Sequence, residues 1–286
     1  MTVLLRDHMK RTLKNWRDDL SPDWRDFFSA VEPDFDAAPP GLTWDKDGPV
    51  IPPRKGEGLE GAPAGAHVFR AFDGVTPREV RVLVVGQDPY PKRTRATGRA
   101  FEDGALTSWT GAVAVSLKHL VQSSLALRLS RPELAANDAA WGDIKREVQS
   151  GRLPLESIGD HFDRLQVDNG VQFVNAGWTL TRFKSGGGPE QIFHIGMWRP
   201  VMMRLLNGLA ERPDAAVVYL LLGKFAQDLF DASGVEAAAR RDGTWGVRVM
   251  RVDHPHPNAP AYFQHPNPLA RVNTALEAMA ARPVDW

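Results

Sequence analysis

Residues 82–101 read VLVVGQDPYPKRTRATGRAF, and this stretch decides the fold. Its first four residues, 82–85, form a continuously apolar run of the kind found in strands buried on both faces of a sheet. The run stops at Gly-Gln-Asp-Pro-Tyr. Four cations follow, namely Lys92, Arg93, Arg95 and Arg99. An acid and a phenol directly after a buried strand predict a functional site at the edge of a sheet.

Three further apolar runs of strand length lie at 171–174, 217–222 and 247–252. The segments around them carry apolar residues at helical spacing, which predicts helices within 115–127, 191–209, 224–230 and 270–281. Apolar strands that alternate with helices favour a parallel sheet covered on both faces. We therefore predict an α/β protein, a three-layer α/β/α sandwich with a central four-stranded parallel sheet.

The 286 residues, 43% of them hydrophobic, are enough for a substantial core, and we expect a single domain over 1–286. Short helices are predicted within 4–31, where Ser21 is a candidate N-cap and Pro22 a first helical residue. The Pro- and Gly-rich segment 39–65 predicts a long irregular surface loop.

The charge balance limits the classes of partner. Lys+Arg and Asp+Glu both total 35, so a nucleic-acid site must be a local patch of charge. The absence of cysteine excludes disulfides, thiol catalysis and zinc–thiolate sites. Charges interrupt the apolar residues of the N-terminal stretch, which is typical of neither a signal peptide nor a membrane span. We expect a soluble cytoplasmic protein.

Polar residues follow three of the four predicted strands. Asp88 lies in the segment after the first strand, Asn175 follows the second, and the sequence DHPHPNAP at 253–260 follows the fourth. Ligands of open α/β sheets bind outside the carboxyl ends of the strands. The three clusters are therefore expected to meet in one pocket.

The residue types indicate recognition and electrostatics. Asp88 can orient a water or stabilise a developing cation, and the Asn175 amide matches the hydrogen-bonding edge of a nucleobase. His254 can donate to an oxygen that gains negative charge. Tyr90 and Phe101 would shape a flat slot that fits an aromatic heterocycle. Because none of these groups is a nucleophile beside a base, covalent catalysis is not indicated.

These motifs resemble those of the uracil-DNA glycosylases of the GQDPY type (family 1-like). The similarity includes GQDPY after an apolar strand, GRAF, an asparagine-containing strand end that leads into LT, LLLGKFAQ and a late HPxP segment, all in the same order. The resemblance implies a uracil-DNA glycosylase-like fold and a monofunctional enzyme of base excision repair. Such an enzyme extrudes deoxyuridine from DNA, hydrolyses its N-glycosidic bond, releases free uracil and leaves an abasic site.

The resemblance also implies roles for single residues that contact the base and sugar. Asp88 would position the attacking water and stabilise the oxocarbenium-like sugar, while Gln87 would lie against the base. Tyr90 would occupy the space of a thymine methyl group, and Phe101 would stack on the uracil. Asn175 would bind the N3 and O4 edge.

The remaining implied roles concern the uracil O2 atom and the DNA backbone. His254 would hydrogen-bond O2 as the glycosidic bond breaks. Ser116, Ser185 and the loop with His256 and Asn258 would hold the phosphates on either side of the extruded nucleotide.

Three positions depart from the family pattern. A histidine usually follows GQDPY, where this chain has Pro91, and the third residue of HPxP is usually serine, where this chain has His256. The leucine that commonly follows HPxP and wedges into the base stack is Asn258. A weaker wedge predicts a preference for single-stranded or weakly paired uracil.

The implied partner is uracil-containing DNA, single- or double-stranded, and the enzyme would act as a monomer without a membrane, cofactor or metal. A proteinaceous uracil-DNA glycosylase inhibitor is a further partner of this fold class.

Six cations are candidates for a phosphate-binding strip, or alternatively for ordinary solvated loops: Lys92, Arg93, Arg95, Arg99, Arg182 and Lys184.

Other interpretations of the same residues remain open at this point. Asp88 before a proline is also a common turn or helix-cap residue, and Asn175 can cap a strand end. His254 and His256 could instead bind the metal of a metal-dependent hydrolase. The chain could also be a non-catalytic DNA-binding protein of the same fold.

Overall fold

The computed structural model describes residues 3–45, 48–185 and 187–286. Four strands form one parallel sheet in the order β2-β1-β3-β4. Their bounds are β1 Val82–Gly86, β2 Val171–Asn175, β3 Val217–Leu222 and β4 Val249–His254. The α/β class with a central four-stranded parallel sheet is thereby confirmed.

Helices surround this sheet. The α-helices are α1 Leu5–Thr12, α2 Pro22–Phe27, α3 Val115–Arg128, α4 Ala140–Gln149, α5 Ile158–Asp163, α6 Pro189–Ala210, α7 Lys224–Ser233, α8 Val235–Arg241 and α9 Pro268–Ala278. Short 3₁₀ segments lie at Trp16–Asp19, Phe35–Ala37, Arg70–Phe72, Pro132–Ala135 and Tyr262–Gln264, and a π-helical turn spans Arg164–Asp168. No helix of the described ranges is long and apolar enough to cross a membrane.

The four helices predicted from periodicity are present as α3, α6, α7 and α9. Three helices were not predicted, namely α4, α5 and α8. Of these, α5 and α8 have 6 and 7 residues, so their apolar stripes are too short for a clear helical period. Ser21 occupies the N-cap position of α2 as predicted, with Pro22 at the first turn, although its side chain makes no capping hydrogen bond.

Alternate side chains of each strand face opposite layers, as the pleat requires. Leu83 and Val85 of β1 belong to one apolar cluster, which includes residues of α1, α2, α6, α7 and α8. Val82 and Val84 belong to a second cluster, with residues of α3, α4, α5 and α9. The sheet is therefore the middle layer of the predicted three-layer sandwich.

The fourth strand lies two residues later than predicted. Val247 was expected to begin it, but this residue is 59% exposed in a turn after α8, and its N–H donates to Thr244 O at 3.1 Å. The strand runs instead from Val249 to His254. His254 is therefore the last residue of a strand, and the loop at the sheet edge begins after it.

The segment 39–65 is irregular as predicted, apart from residues 46 and 47, which lie outside the described residues. It is anchored at Ile51, which exchanges two backbone hydrogen bonds of 2.8 Å with Leu180, and it buries Pro52 and Pro53. The loop is thus tied to the segment that follows β2.

Candidate active site

A pocket of about 310 Å³ opens at the carboxyl edge of the sheet. The ends of β1 and β2, the start of α3 and the loop after β4 all contribute to its walls. Of the ten residues predicted for the site, eight line it: Gln87, Asp88, Tyr90, Phe101, Ser116, Asn175, His256 and Asn258. The expectation that the strand-end clusters meet in one pocket agrees with this geometry.

Pairing between β1 and β2 continues past both strands and sets their end residues side by side. Ala176 N–H donates to Gly86 O at 2.9 Å, and Gly177 N–H donates to Gln87 O at 3.0 Å. A Cβ atom at Gly86 would lie 2.5 Å from Asn175 Oδ1, so only glycine allows this approach. Asn175 is 5% exposed, and its amide makes no hydrogen bond with the described residues, which leaves it available to a ligand.

Asp88 is held by a residue that sequence reasoning missed. Its Oδ2 atom accepts a hydrogen bond of 3.3 Å from Gln191 Nε2, and Gln191 is 4% exposed at the start of α6. The buried Oδ1 atom accepts no hydrogen bond within the described part of the chain. Burial raises the pKa of Asp88 above its usual value, and the Gln191 hydrogen bond partly opposes this shift.

Two aromatic side chains form a wall of the pocket. Phe101 has a φ of 67°, in the left-handed region that bulky residues seldom adopt. The Tyr90 hydroxyl donates to Phe101 O at 3.3 Å, and the Arg95 guanidinium lies 4.4 Å from the centre of the Tyr90 ring. Burial raises the pKa of Tyr90 to about 12. Backbone strain of this kind is concentrated at functional sites.

Of the two candidate histidines, His256 lines the pocket and His254 is not among its lining residues. His254 is 2% exposed and its Nε2 lies 3.0 Å from the Tyr262 carbonyl, so the ring faces the protein interior. Burial lowers its pKa to about 4. The physical reason is the later end of β4, because His254 continues the strand while His256 belongs to the exposed loop.

A backbone contact fixes the tautomer of the pocket histidine. Asn258 N–H donates to His256 Nδ1 at 3.1 Å, so Nδ1 is an acceptor. Partial burial also lowers the pKa of His256, which favours the neutral ring. The remaining proton is then on Nε2, and the ring presents a hydrogen-bond donor.

The two predicted serines lie in different surroundings. Ser116 is the second residue of α3 and lines the pocket at the amino end of that helix, where helix dipoles favour anions. Ser185 is exposed on the loop after β2 and is not part of the pocket lining.

Three of the six predicted phosphate-binding cations are already paired. The Arg99 side chain is buried beside the pocket and donates to Asp163 at 2.5 Å and to Gln166 at 2.9 Å. Arg95 binds Asp103 at 2.5 Å, and the exposed Arg182 binds Asp45 at 2.7 Å. Of the six, Lys92, Arg93 and Lys184 are exposed and form no ion pair with any described residue.

An exposed aromatic residue at the pocket was also missed. Phe183 lines the pocket and is 48% exposed, and Lys184 follows it directly. Phe225, the second residue of α7, lines the same pocket and is half-buried. The sequence signal was weak, because a single phenylalanine after a strand usually joins the core.

Known proteins resemble this chain in sequence and in fold. No protein-family model matches it. A uracil-DNA glycosylase of Mycolicibacterium vanbaalenii is 30% identical over 227 residues, which cover 78% of this chain and 80% of the relative. A uracil-DNA glycosylase of Pediococcus pentosaceus is 26% identical over 77% of both chains. The chain belongs to the uracil-DNA glycosylase family.

Solved structures of uracil-DNA glycosylases share the fold. The mimivirus enzyme has a TM-score of 0.60 and 16% identity, covering 100% of this chain and 94% of that one. The wild-type enzyme of Nitratifractor salsuginis has a TM-score of 0.54 and 19% identity, and the match covers 99% of this chain and 93% of that one. A variant of the mimivirus enzyme was solved in complex with UGI. At these sequence identities, the similarity to the solved structures shows that the fold is shared.

The metal-site interpretation is not favoured in this member of the uracil-DNA glycosylase family. His254 and His256 bond to different backbone groups, Tyr262 O and Asn258 N–H. Within residues 3–45, 48–185 and 187–286, no group of three or more His, Cys, Asp or Glu side chains is arranged to hold a metal ion.

Gly223 gives a test of how the His256 loop is seated. Its φ is 90°, and an added Cβ would lie 2.8 Å from His256 Cβ. We expect Gly223→Ala to displace His256 and to lower the rate of uracil release by at least tenfold. The matched control is Gly234→Ala, with a φ of 72° and open space around its Cβ, which carries only the backbone strain.

Thermal unfolding and the single-turnover rate of both glycine variants check this prediction. Gly234→Ala should lose about 1 kcal/mol of stability and keep its rate. Equal rates in the two variants would contradict the placement of His256.

Proposed function

We propose that this protein is a DNA repair glycosylase of the GQDPY type, which hydrolyses the N-glycosidic bond of deoxyuridine in DNA. It would release free uracil from an extruded nucleotide and leave an abasic site. The observation that carries the proposal is the convergence of Asp88, Asn175 and His256 on one pocket with an aromatic wall. Membership of the uracil-DNA glycosylase family supports it.

Asp88 acts on the sugar. Its carboxylate stabilises the positive charge that develops as the glycosidic bond breaks, and its unpartnered Oδ1 atom orients the attacking water. The hydrogen bond from Gln191 to Oδ2 fixes the direction of the carboxylate. Hydrolysis by one water then needs no covalent intermediate and no cofactor.

The pocket selects the base by hydrogen bonding and shape. Asn175 offers an acceptor and a donor pair to the N3 and O4 edge of uracil. Tyr90 fills the space that a thymine methyl group would need, Phe101 stacks on the ring, and Gln87 borders the base. These roles follow the family resemblance, and the pocket position of all four residues supports them.

His256 acts on the leaving group. Because its Nδ1 accepts from Asn258 N–H, its Nε2–H is free to donate to uracil O2, where negative charge accumulates as the bond breaks. We assign this role to His256 and a structural role to His254, which anchors the Tyr262 carbonyl behind the loop.

This assignment moves the HPxP register by two residues and places Ala259 where the motif has its second proline. With His256 in first place, Asn258 occupies the position of the usual serine, and Pro260 occupies that of the wedging leucine. Both residues are exposed, and Asn258 lines the pocket. Asn258 would therefore contact phosphate, and Pro260 would enter the base stack. Proline offers less apolar surface than leucine, which preserves the expected preference for single-stranded or weakly paired uracil.

The surface proposed to bind the DNA backbone is small and local. Lys92, Arg93 and Lys184 are the exposed cations proposed to bind phosphates, together with Ser116 at the amino end of α3 and Ser185 on its loop. A proteinaceous inhibitor of the kind bound by the mimivirus enzyme would compete for the same surface.

We also propose that residues 1–286 form one monomeric cytoplasmic domain. The side chains of α1 and α2 share a core cluster with the sheet, which supports a single folding unit.

Replacement of Asp88 tests its role in catalysis. Asp88→Asn should lower kcat for uracil release from a single-stranded oligonucleotide in EDTA by roughly two orders of magnitude or more. The control is Asp228→Asn, an exposed partner of Lys224, which should keep the wild-type rate. A wild-type kcat in Asp88→Asn would remove Asp88 from the mechanism.

The same variant should be more stable. Burial raises the pKa of Asp88 in the folded protein, so at neutral pH the folded state holds a charge that it disfavours relative to the unfolded chain. Asparagine removes this unfavourable charge, and Tm should rise at pH 7.

The two histidines can be separated by substitution. His256→Ala should lower kcat roughly a hundredfold with little change in Tm, since the residue is exposed in the loop. His254→Gln should mainly lower Tm, because that ring is buried against Tyr262. The opposite pattern, with kcat lost only in His254→Gln, would restore His254 as the leaving-group donor.

Phe183 is predicted to stack on a base next to the extruded nucleotide. Phe183→Ala should raise KM for single-stranded uracil DNA roughly tenfold, while kcat stays close to wild type. Ile192→Ala is the control, because Ile192 is 65% exposed and lies outside the pocket lining. Equal KM values for the two variants would exclude stacking by Phe183.

A further inference from the structure

The peptide group between Pro257 and Asn258 has both of its polar atoms bound by histidine rings. Its N–H donates to His256 Nδ1 at 3.1 Å. Its carbonyl oxygen accepts from His119 Nδ1, a ring of α3 that is 6% exposed. The two bonds lie at opposite ends of one planar, conjugated group, so polarisation at the carbonyl is transmitted to the N–H.

The His119 ring is bound on its other side as well. Its Nε2 lies 2.7 Å from Asp138 Oδ1, and Lys118 forms an ion pair with the same carboxylate. The hydrogen bond from Lys118 is the larger effect and that from His119 the smaller one, and both lower the pKa of Asp138. Its carboxylate therefore stays ionised. The rings of Tyr262 and Phe263 pack against His119 with centroids at 5.6 and 4.6 Å.

The chemistry of these partners fixes the direction of the bonds. The Pro257 carbonyl can only accept, so His119 Nδ1 donates to it. This hydrogen bond polarises the Pro257 carbonyl, and Asp138 holds the ring from its other side. The Asn258 N–H becomes a stronger donor in turn.

We propose that Asp138, His119 and the 257–258 peptide form a hydrogen-bond chain that positions and polarises His256. A stronger hydrogen bond to Nδ1 withdraws electron density from the His256 ring and makes Nε2–H a better donor to the uracil oxygen. The inference rests on the proposed function, in which His256 stabilises that oxygen. His119 is a positioning residue, since it acts only through the peptide and touches no substrate.

His119→Phe tests the chain, because phenylalanine keeps the packing against Tyr262 and Phe263 and removes both hydrogen bonds. We expect kcat for uracil release to fall about tenfold with KM unchanged, the effect of one lost hydrogen bond in the transition state. The matched control is His161→Phe. His161 is also buried and paired with a carboxylate, Glu156 at 3.0 Å, but lies outside the active-site pocket. Its kcat should stay at the wild-type value.

Double variants separate this role from general loop disorder. In a His256→Ala background, His119→Phe should have no further effect on kcat, whereas in an Asp88→Asn background it should again cost about tenfold. A tenfold loss in both backgrounds, or in neither, would overturn the proposal.

Asp138→Asn, at a residue whose side chain is 63% exposed, provides a variant that folds if His119→Phe does not. It should lower kcat in the same direction, and an unchanged kcat in that variant would also overturn the chain.

Nitrogen-15 NMR of the His256 ring gives a readout that does not depend on activity. Wild type should show a proton on Nε2 and a hydrogen-bonded acceptor at Nδ1, and the Nδ1 resonance should move toward the free-acceptor position in His119→Phe. An unmoved resonance would contradict the chain. If wild type releases no uracil while the resonance moves as expected, the proposed function fails and the hydrogen-bond chain stands.

Discussion

The approach of β1 to β2 at their carboxyl ends is the constraint on which the site depends. A Cβ atom at position 86 would lie 2.5 Å from Asn175 Oδ1 and 2.8 Å from Ala100 Cβ, so it would displace the Asn175 amide. The backbone pairing that continues through Gln87 and Gly177 then brings Asp88 beside the amide that would bind the base. Glycine at position 86 thus leaves room for the Asn175 amide in the pocket that Asp88 also lines.

Much of this arrangement could be predicted from local sequence, because burial on both faces leaves a continuous apolar run. The ends of β1 and β2 were within one residue of the prediction, so Asp88 and Asn175 were placed correctly in the pocket. The choice between His254 and His256 could not be made locally. It depends on where the ladder to β3 stops, and that ladder runs on to Gly223 N–H and His254 O at 2.8 Å.

Long-range partners also limited the prediction of charge. Arg99 belongs to a run of cations in the sequence, yet its partners Asp163 and Gln166 are more than 60 residues away. Such pairs carry no local signal, so the pairing of Arg99 could not be predicted, whereas Arg95 pairs with Asp103 only eight residues away. In the proposed function, DNA affinity would depend on the few ionic contacts of the smaller set around Lys92 and Lys184 and more on the fit of the extruded base.

The two layers that cover the sheet each support a different half of the chemistry. Gln191, at the start of α6, holds the carboxylate of Asp88 from one layer. His119, within α3, holds the peptide next to His256 from the other layer. In the proposed mechanism, the acid that faces the sugar and the imidazole that faces the base therefore have independent supports, on opposite sides of one sheet. The distance between the two groups is set by β1, β3 and β4, whose buried side chains leave little freedom to adjust it.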